Sequence, residues 1–209
     1  MRYELKYTIQ HLSYDAVKSS LMCHPASFTM LYPDRRINNY YFDTPDFLCF
    51  HQNIDGLPNR KKLRLRWYGD YSLPTKNSTL ELKIKERELG YKELFPIENE
   101  ISSKANLMDE VSATGKFTSE LNPVLKNTYE RSYFISADKK YRVTIDRDQA
   151  FAIPFSDMRT IGIKQYPIIL EIKFDKKDID GISNITDFLP YRQSKNSKYA
   201  TGVEEIYMQ

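Results

Sequence analysis

The sequence turns on RKKLRLRWYG at Arg60–Gly69, followed across a polar gap by TLELKIK at Thr79–Lys85 and ELGYKEL at Glu88–Leu94. In the first run Lys62, Arg64 and Arg66 alternate with Leu63, Leu65 and Trp67. In the second, Glu81, Lys83 and Lys85 alternate with Leu80, Leu82 and Ile84. Successive side chains leave a β-strand on opposite faces, so each run predicts a strand with one apolar face and one charged face. Most of these charges are long cations.

The same period recurs outward along the chain. Arg2–Ile9 places Glu4 and Lys6 opposite Tyr3, Leu5 and Tyr7. Tyr91–Pro96 carries Lys92, and Tyr129–Ser136 sets Tyr129, Arg131 and Tyr133 on one side. Arg142, Thr144 and Asp146 alternate with Tyr141, Val143 and Ile145, and Glu171 and Lys173 alternate with Leu170, Ile172 and Phe174. INNYYFD at Ile37–Asp43 is aromatic and β-prone. Between these runs, Ser13 predicts an N-cap for a helix carrying Val17 and Leu21. Thr44-Pro45-Asp46 predicts the start of a short helix, with Asp43 as a turn and cap residue. Helices are also expected over Ser102–Phe117, Pro123–Thr128, Ile179–Leu189 and Tyr199–Tyr207, and a polar basic loop over Arg192–Lys198. Hairpin turns such as Asp138-Lys139 make the sheet mainly antiparallel, so the class is α+β. With 209 residues and no linker, one domain over residues 1–209 is expected.

Composition excludes several chemistries. With 7 glycines and no GxxxxGK[ST] or GxGxxG, neither a P-loop nor a Rossmann nucleotide site is present as a motif. His11, His24 and His51 match no metal spacing and read as structural or exposed. Cys23 and Cys49 form no metal pattern and read as buried free thiols. MRYELKYTIQ lacks a signal-peptide core, and no run reaches the ~20 apolar residues that cross a bilayer, so a cytoplasmic protein is expected.

A charged sheet face is ordinarily just solvated. Here, however, separate strands put Lys or Arg near their middles, with only Glu4, Glu81 and Glu171 as acids on the same faces. The rest of the chain carries more acid than base, so positive charge is concentrated in this set. That argues against nucleic acid, which needs basic residues along an exposed path. Like charges at ~4 Å cost about 4 kcal/mol per pair at an effective dielectric of ~20. If these faces meet, a polyanion is the natural filler, and Arg forks suit phosphate oxygens. Glu81 and Asp146 read as salt-bridge partners of these cations.

Eight short motifs, in order, carry a family resemblance: ELKY at Glu4–Tyr7, YFDT at Tyr41–Thr44, KLRLRWY at Lys62–Tyr68, LELK at Leu80–Lys83, YER at Tyr129–Arg131, RVTID at Arg142–Asp146, LEIK at Leu170–Lys173 and KNSKY at Lys195–Tyr199. Together they resemble the VTC (vacuolar transporter chaperone) domain of the wider CYTH, or triphosphate tunnel metalloenzyme, group. The resemblance implies an antiparallel eight-stranded β tunnel or barrel with a basic lumen and helices packed outside. It implies a polyphosphate polymerase, moving the γ-phosphoryl of ATP onto a growing phosphate chain with Mn²⁺ or Mg²⁺. By motif, Lys6, Arg64, Arg66, Lys83, Arg131, Arg142 and Lys198 would be catalytic, and Lys92, Tyr129, Lys173, Lys195 and Ser197 would bind phosphate. Glu171 would hold the metal.

One departure matters. Tunnel triphosphatases typically open with Glu-x-Glu-x-Lys, whereas Arg2 stands at the first acid position here, before Glu4 and Lys6. VTC domains share that loss, which favours the polymerase branch. A metal-dependent triphosphatase and a non-catalytic polyphosphate-binding module remain the rivals. The inositol-phosphate sensor and membrane segment of yeast-type relatives are not expected in this chain, and a partner membrane protein could supply export.

Overall fold

The computed structural model describes residues 2–69, 77–87, 89–117, 120–156 and 166–208. The polar gap at residues 70–76 lies outside the described residues. Eight strands are present: β1 (Arg2–Ile9), β2 (Thr29–Asp43), β3 (Asn59–Tyr68), β4 (Ser78–Glu86), β5 (Leu89–Ile97), β6 (Asn122–Ile135), β7 (Arg142–Ala152) and β8 (Ile168–Asp175). The helices are α1 (Tyr14–Met22), α2 (Leu48–Ile54), α3 (Lys104–Ala113), α4 (Ser183–Thr186) and α5 (Lys198–Tyr207). The strands hydrogen-bond in the order β1-β8-β7-β6-β2-β3-β4-β5. The registers of β1 with β8, β2 with β3, β3 with β4, β4 with β5 and β7 with β8 are all antiparallel.

The chain divides into two compact units. The first takes Met1–Arg35, Tyr129–Gln149 and Gln165–Asn196, and the second takes Arg36–Thr128, Ala150–Lys164 and Ser197–Gln209. In the first, the apolar faces of β1, β7 and β8 bury Tyr7, Val143, Ile145, Leu170 and Ile172 against Val17 and Leu21 of α1. In the second, Tyr40, Phe42, Leu63, Leu65, Trp67, Leu80 and Leu82 are buried against Leu107 and Val111 of α3. Each core is therefore the apolar half of the alternation read in the sequence, covered by one amphipathic helix. Ser13 caps α1 by accepting the Ala16 amide, as expected.

The eight antiparallel strands and α+β class expected from the sequence are present. Among the described residues no ladder joins β1 to β5. Residues 193–194 lie along β1. Gln193 bridges Tyr7, the Ser194 amide donates to the Lys6 carbonyl at 2.8 Å, and the Ser194 and Thr8 hydroxyls bond at 2.8 Å. The outer edge of β1 is thus occupied by its own chain. At the other end β5 carries Pro96, which has no N–H to offer a further strand.

Other expectations change locally. Pro123–Thr128 is not a helix but the first half of β6, where Pro123, Leu125 and Asn127 are buried. Ile179–Leu189 is a 3-10 turn (Lys176–Gly181) followed by the single-turn α4. Helix α2 starts at Leu48, later than Thr44-Pro45 predicts. Its leading amides are already taken: Cys49 and Phe50 donate to the Asp43 carboxylate, and Leu48 donates to the Thr44 hydroxyl. Asp43 is the cap residue the sequence predicts. Cys23 is exposed rather than buried, because it is the C-cap of α1. Cys49 is half-buried, and burial together with the Asp43 carboxylate pushes its thiol up to about 12.

Candidate phosphate-binding faces

The charged half of each alternation forms the candidate site, one face in each unit.

In the first unit, register brings Lys6 opposite Glu171 and Glu4 opposite Lys173, while Thr144 faces Glu171 and Arg142 faces Lys173. Lys6 Nζ lies 2.9 Å from Glu4, 3.6 Å from Glu171 and 3.1 Å from the Asn196 carbonyl. Lys173 pairs with Glu171 and lies 3.9 Å from Glu4. Burial alone would raise the Glu171 carboxyl, but Lys173, Lys6 and Arg131 hold it well below the usual range, so it is ionised. Arg131 grips Asp146 with two hydrogen bonds, Nε to Oδ1 and Nη2 to Oδ2 at 2.7 Å, and its guanidinium lies 5.2 Å from the Tyr129 ring centroid. Burial opposes the Arg131 charge, yet Asp146 keeps its pKa well above the ordinary arginine value. Asp146 is fully buried, while Arg142 and Lys195 are exposed.

In the second unit, register sets Lys62 opposite Lys83 and Lys83 opposite Lys92. Three lysines thus stand in one row across β3, β4 and β5. Like charges directly opposite one another are destabilising, so a fold keeps such a row only against a compensating demand. One step along the strands, Arg64 faces Glu81. Glu81 receives Arg64 Nε at 2.8 Å, lies 3.5 Å from Arg66 Nη1 and 3.5 Å from Lys92 Nζ. Burial would raise its carboxyl, but Arg64, Arg66 and Lys92 bring it down to about 2. Three cations share this one carboxylate.

Lys62 Nζ also lies 3.3 Å from the Ser197 hydroxyl and donates to Asn53. Ser197 is the N-cap of α5 and accepts the Ala200 amide. A hydroxyl carries one hydrogen besides its lone pairs, so the cap role is compatible with donation to a phosphate. Lys198 opens α5, and Tyr199, the next residue, is buried and donates its hydroxyl to Asp43. Each sequence-predicted residue therefore falls on, or at the end of, a charged face of its own unit. Lys6, Tyr129, Arg131, Arg142, Glu171, Lys173 and Lys195 belong to the first, and Arg64, Arg66, Lys83, Lys92, Ser197 and Lys198 to the second.

A divalent ion fits the first face in one mode only. Among the described residues no group of three His, Cys, Asp or Glu converges. Glu4 and Glu171, however, share Lys6 and Lys173. Mg²⁺-type ions commonly take one or two carboxylates and complete their shell with water and substrate phosphate oxygens. This donor set suits that arrangement and not an all-protein cage.

The sequence reading missed Asn39 and Asn127, which are fully buried. Asn39 accepts from Arg66 Nε at 3.0 Å and donates to Asn127 at 3.2 Å. The available signal was Asn38-Asn39 inside a strand, where asparagine is disfavoured unless its amide is used.

Among the described residues no helix is long and apolar enough to cross a membrane. No curated protein matches this chain. Among solved structures, a candidate adenylate cyclase of Bacillus halodurans superposes with a TM-score of 0.57 at 13% identity, over 99% of this chain and 97% of that one. A candidate adenylate cyclase of Vibrio parahaemolyticus gives 0.54 at 15% identity over 94% of each chain. A candidate adenylyl cyclase of Hippeastrum, described as having a dominant triphosphatase activity, gives 0.53 at 16% identity over 96% of this chain and 94% of that one. These likenesses establish the CYTH-like fold. The VTC domain model matches residues 1–207, and with the ordered motifs and charged faces described above, the chain belongs to the VTC domain family.

Proposed function

We propose that the protein is a polyphosphate polymerase that transfers the γ-phosphoryl of ATP to the end of an inorganic polyphosphate chain. The observation that carries this reading is the in-register row Lys62, Lys83 and Lys92 beside the carboxylate shared by Arg64, Arg66 and Lys92. Such a face lowers its own free energy by taking up a linear polyanion. Membership of the VTC family supports the choice of polymer.

In the reaction, a terminal phosphate oxygen of the chain forms a bond to the γ-phosphorus, and the bridging bond to the β-phosphate breaks. The electron pair leaves with ADP. The attacking phosphate is largely ionised near neutral pH, so no general base is required, and catalysis rests on positioning and charge neutralisation. Arg64, Arg66, Lys83, Lys92, Lys198 and Ser197 hold phosphate oxygens on the second face. Lys6, Arg131, Arg142, Lys173, Lys195 and Tyr129 do so on the first. A Mn²⁺ or Mg²⁺ ion at Glu171, with Glu4 beside it, would neutralise phosphate charge. We place the activity in the cytoplasm, with a membrane-protein partner for export.

The second reading is a triphosphatase, favoured by the activity described for the Hippeastrum neighbour. Arg2 at the first acid position of β1 weighs against it, because hydrolysis must also activate water. Purified protein with Mn²⁺ and ATP separates the readings. Long-chain polymer supports the polymerase, orthophosphate supports the hydrolase, and neither product with tight tripolyphosphate binding supports a binding module. Arg64→Ala and Arg66→Ala are each expected to lower polymer synthesis by about 100-fold or more with the circular-dichroism spectrum unchanged. Full activity in both would overturn these roles.

A further inference from the structure

We infer that Asn39 and Asn127 are positioning residues that aim the Arg66 guanidinium, and that they do so without neutralising it. This rests on the phosphate-binding reading of the second face. Four groups form a relay of hydrogen bonds. Arg66 Nε donates to Asn39 Oδ1 at 3.0 Å, Asn39 Nδ2 donates to Asn127 Oδ1 at 3.2 Å, and Asn127 Nδ2 donates to the Ala150 carbonyl at 3.4 Å. Both amides are fully buried, and Arg66 is 8% exposed.

The ends of the relay dictate its direction. Arginine can only donate, so Asn39 must turn its oxygen to Arg66 and its nitrogen to Asn127. A backbone carbonyl can only accept, so Asn127 must turn its nitrogen to Ala150. Flipping either amide would set donor against donor or acceptor against acceptor in a buried place, which costs the full desolvation of those groups. The relay therefore has one self-consistent arrangement, and it fixes the plane of the guanidinium.

The contrast with Arg64 shows what this achieves. Arg64 is oriented by Glu81, a carboxylate that offsets its charge. Arg66 meets the same carboxylate at a longer distance, Nη1 to Oε1 at 3.5 Å, while its Nε is oriented by the neutral Asn39 oxygen, which adds no countercharge. A fork held in place before the ligand arrives loses less conformational freedom on binding, and Asn39 takes up none of its charge. Arg66 is thus the preorganised phosphate fork of this face, with Asn39 its holder and Asn127 the anchor of that holder.

The test has two arms. In ligand-free protein, the Arg66 Nε–H signal should exchange slowly with solvent by NMR. Asn127→Ser, at a residue whose hydrogen bonds go to Asn39 and Ala150, should speed that exchange at least tenfold, as should Asn39→Ser, while Asn39→Asp should leave it slow. Unchanged exchange in both serine variants would overturn the relay, whatever the protein binds. The second arm is a double-mutant cycle on tripolyphosphate affinity, with melting curves confirming that each variant is folded. Asn39→Ser should weaken binding about tenfold in the wild-type background and hardly at all in Arg66→Lys, because the effect passes through Arg66. Asn39→Asp should weaken binding with Nε–H still protected, because position is kept and charge is lost. Additive losses would overturn the positioning role. Absence of tripolyphosphate binding by the wild-type protein would instead overturn the phosphate-binding reading, and the exchange arm would still judge the relay.

Discussion

Glu81 is the residue at which the charge balance of the second face can be tested. Its carboxyl lies at about 2 in the folded protein against 4.5 as the ordinary value, because Arg64, Arg66 and Lys92 outweigh the effect of burial. A depressed folded value means that this ionisation stabilises the fold above pH 4.5, and that the contribution drains away as pH falls toward 2. Glu81→Gln removes it at every pH. In urea unfolding, the wild-type advantage over Glu81→Gln should be full at pH 6 and should narrow steadily from pH 4.5 to pH 3. A gap of constant size would mean that the carboxylate is not held by these cations. The same substitution takes an internal competitor away from incoming phosphate. At pH 7 the Gln variant should bind tripolyphosphate more tightly, by on the order of tenfold, the worth of one partly desolvated charge pair. Weaker binding would show that Glu81 acts mainly to orient Arg64. The cations themselves were legible in the sequence, because alternation in a strand assigns a face to every residue. The Asn39–Asn127 relay was not, because nothing in a single strand shows which residues of β2, β3 and β6 come together.

Strands were legible where charge alternated with aliphatic residues, and they failed to announce themselves where that alternation was replaced. Asn122–Thr128 offers Pro123, Lys126 and two asparagines, which look like a capped helix, yet β6 uses Asn127 in its polar relay and Leu125 in packing. Tertiary partners decided that segment. Arg192–Lys198 likewise read as a loop, and its pairing with β1 at Gln193 and Ser194 is a tertiary contact that no local pattern announces. Helix α5 was legible from its own sequence, and its packing can be tested at Gly202. A Cβ there would lie 2.5 Å from Leu125 Cδ2 and 2.5 Å from Phe151 Cδ1. Both neighbours are fully buried, so neither has room to yield. Gly202→Ala should destabilise the protein by about 1–3 kcal/mol, lowering Tm by about 2–12 °C for a chain of this size. Because α5 carries Ser197 and Lys198 at its start, the loss should be accompanied by weaker phosphate binding. An unchanged Tm would mean that α5 can shift outward freely.

Over the whole molecule, net charge says little. A formal +3 is the residue of 31 basic and 28 acidic side chains, and it conceals how those charges are placed. Each compact unit has one face where cations meet a smaller number of carboxylates, and the buried members of those sets are already paired within the ligand-free fold. Carboxylates such as Glu81 and Glu171 act as resident counter-ions. On the proposed reading, binding a phosphate chain would be an exchange of one anion for another. It would be favoured because phosphate brings more charge per unit length and more acceptor oxygens than a carboxylate. Two consequences can be measured together by thermal unfolding. A ligand that binds only the folded state stabilises it by about 2.7 kcal/mol at one hundred times its Kd. Tripolyphosphate at millimolar concentration should therefore raise Tm by several degrees, and the rise should exceed that from orthophosphate at equal total phosphorus. One chain engages several cations of a face such as Arg64, Arg66 and Lys92, whereas separate ions must each lose their own freedom. Raising KCl from 0.05 to 0.5 M should shrink the tripolyphosphate effect while leaving the ligand-free Tm much less changed. The incoming ligand meets the partly exposed Lys83 and Lys92, which salt screens, and the resident pairs at Glu81, Asp146 and Glu171 are too buried to be screened as strongly. Equal stabilisation by orthophosphate and tripolyphosphate would sink the idea that these faces read a phosphate chain and not merely a single anion.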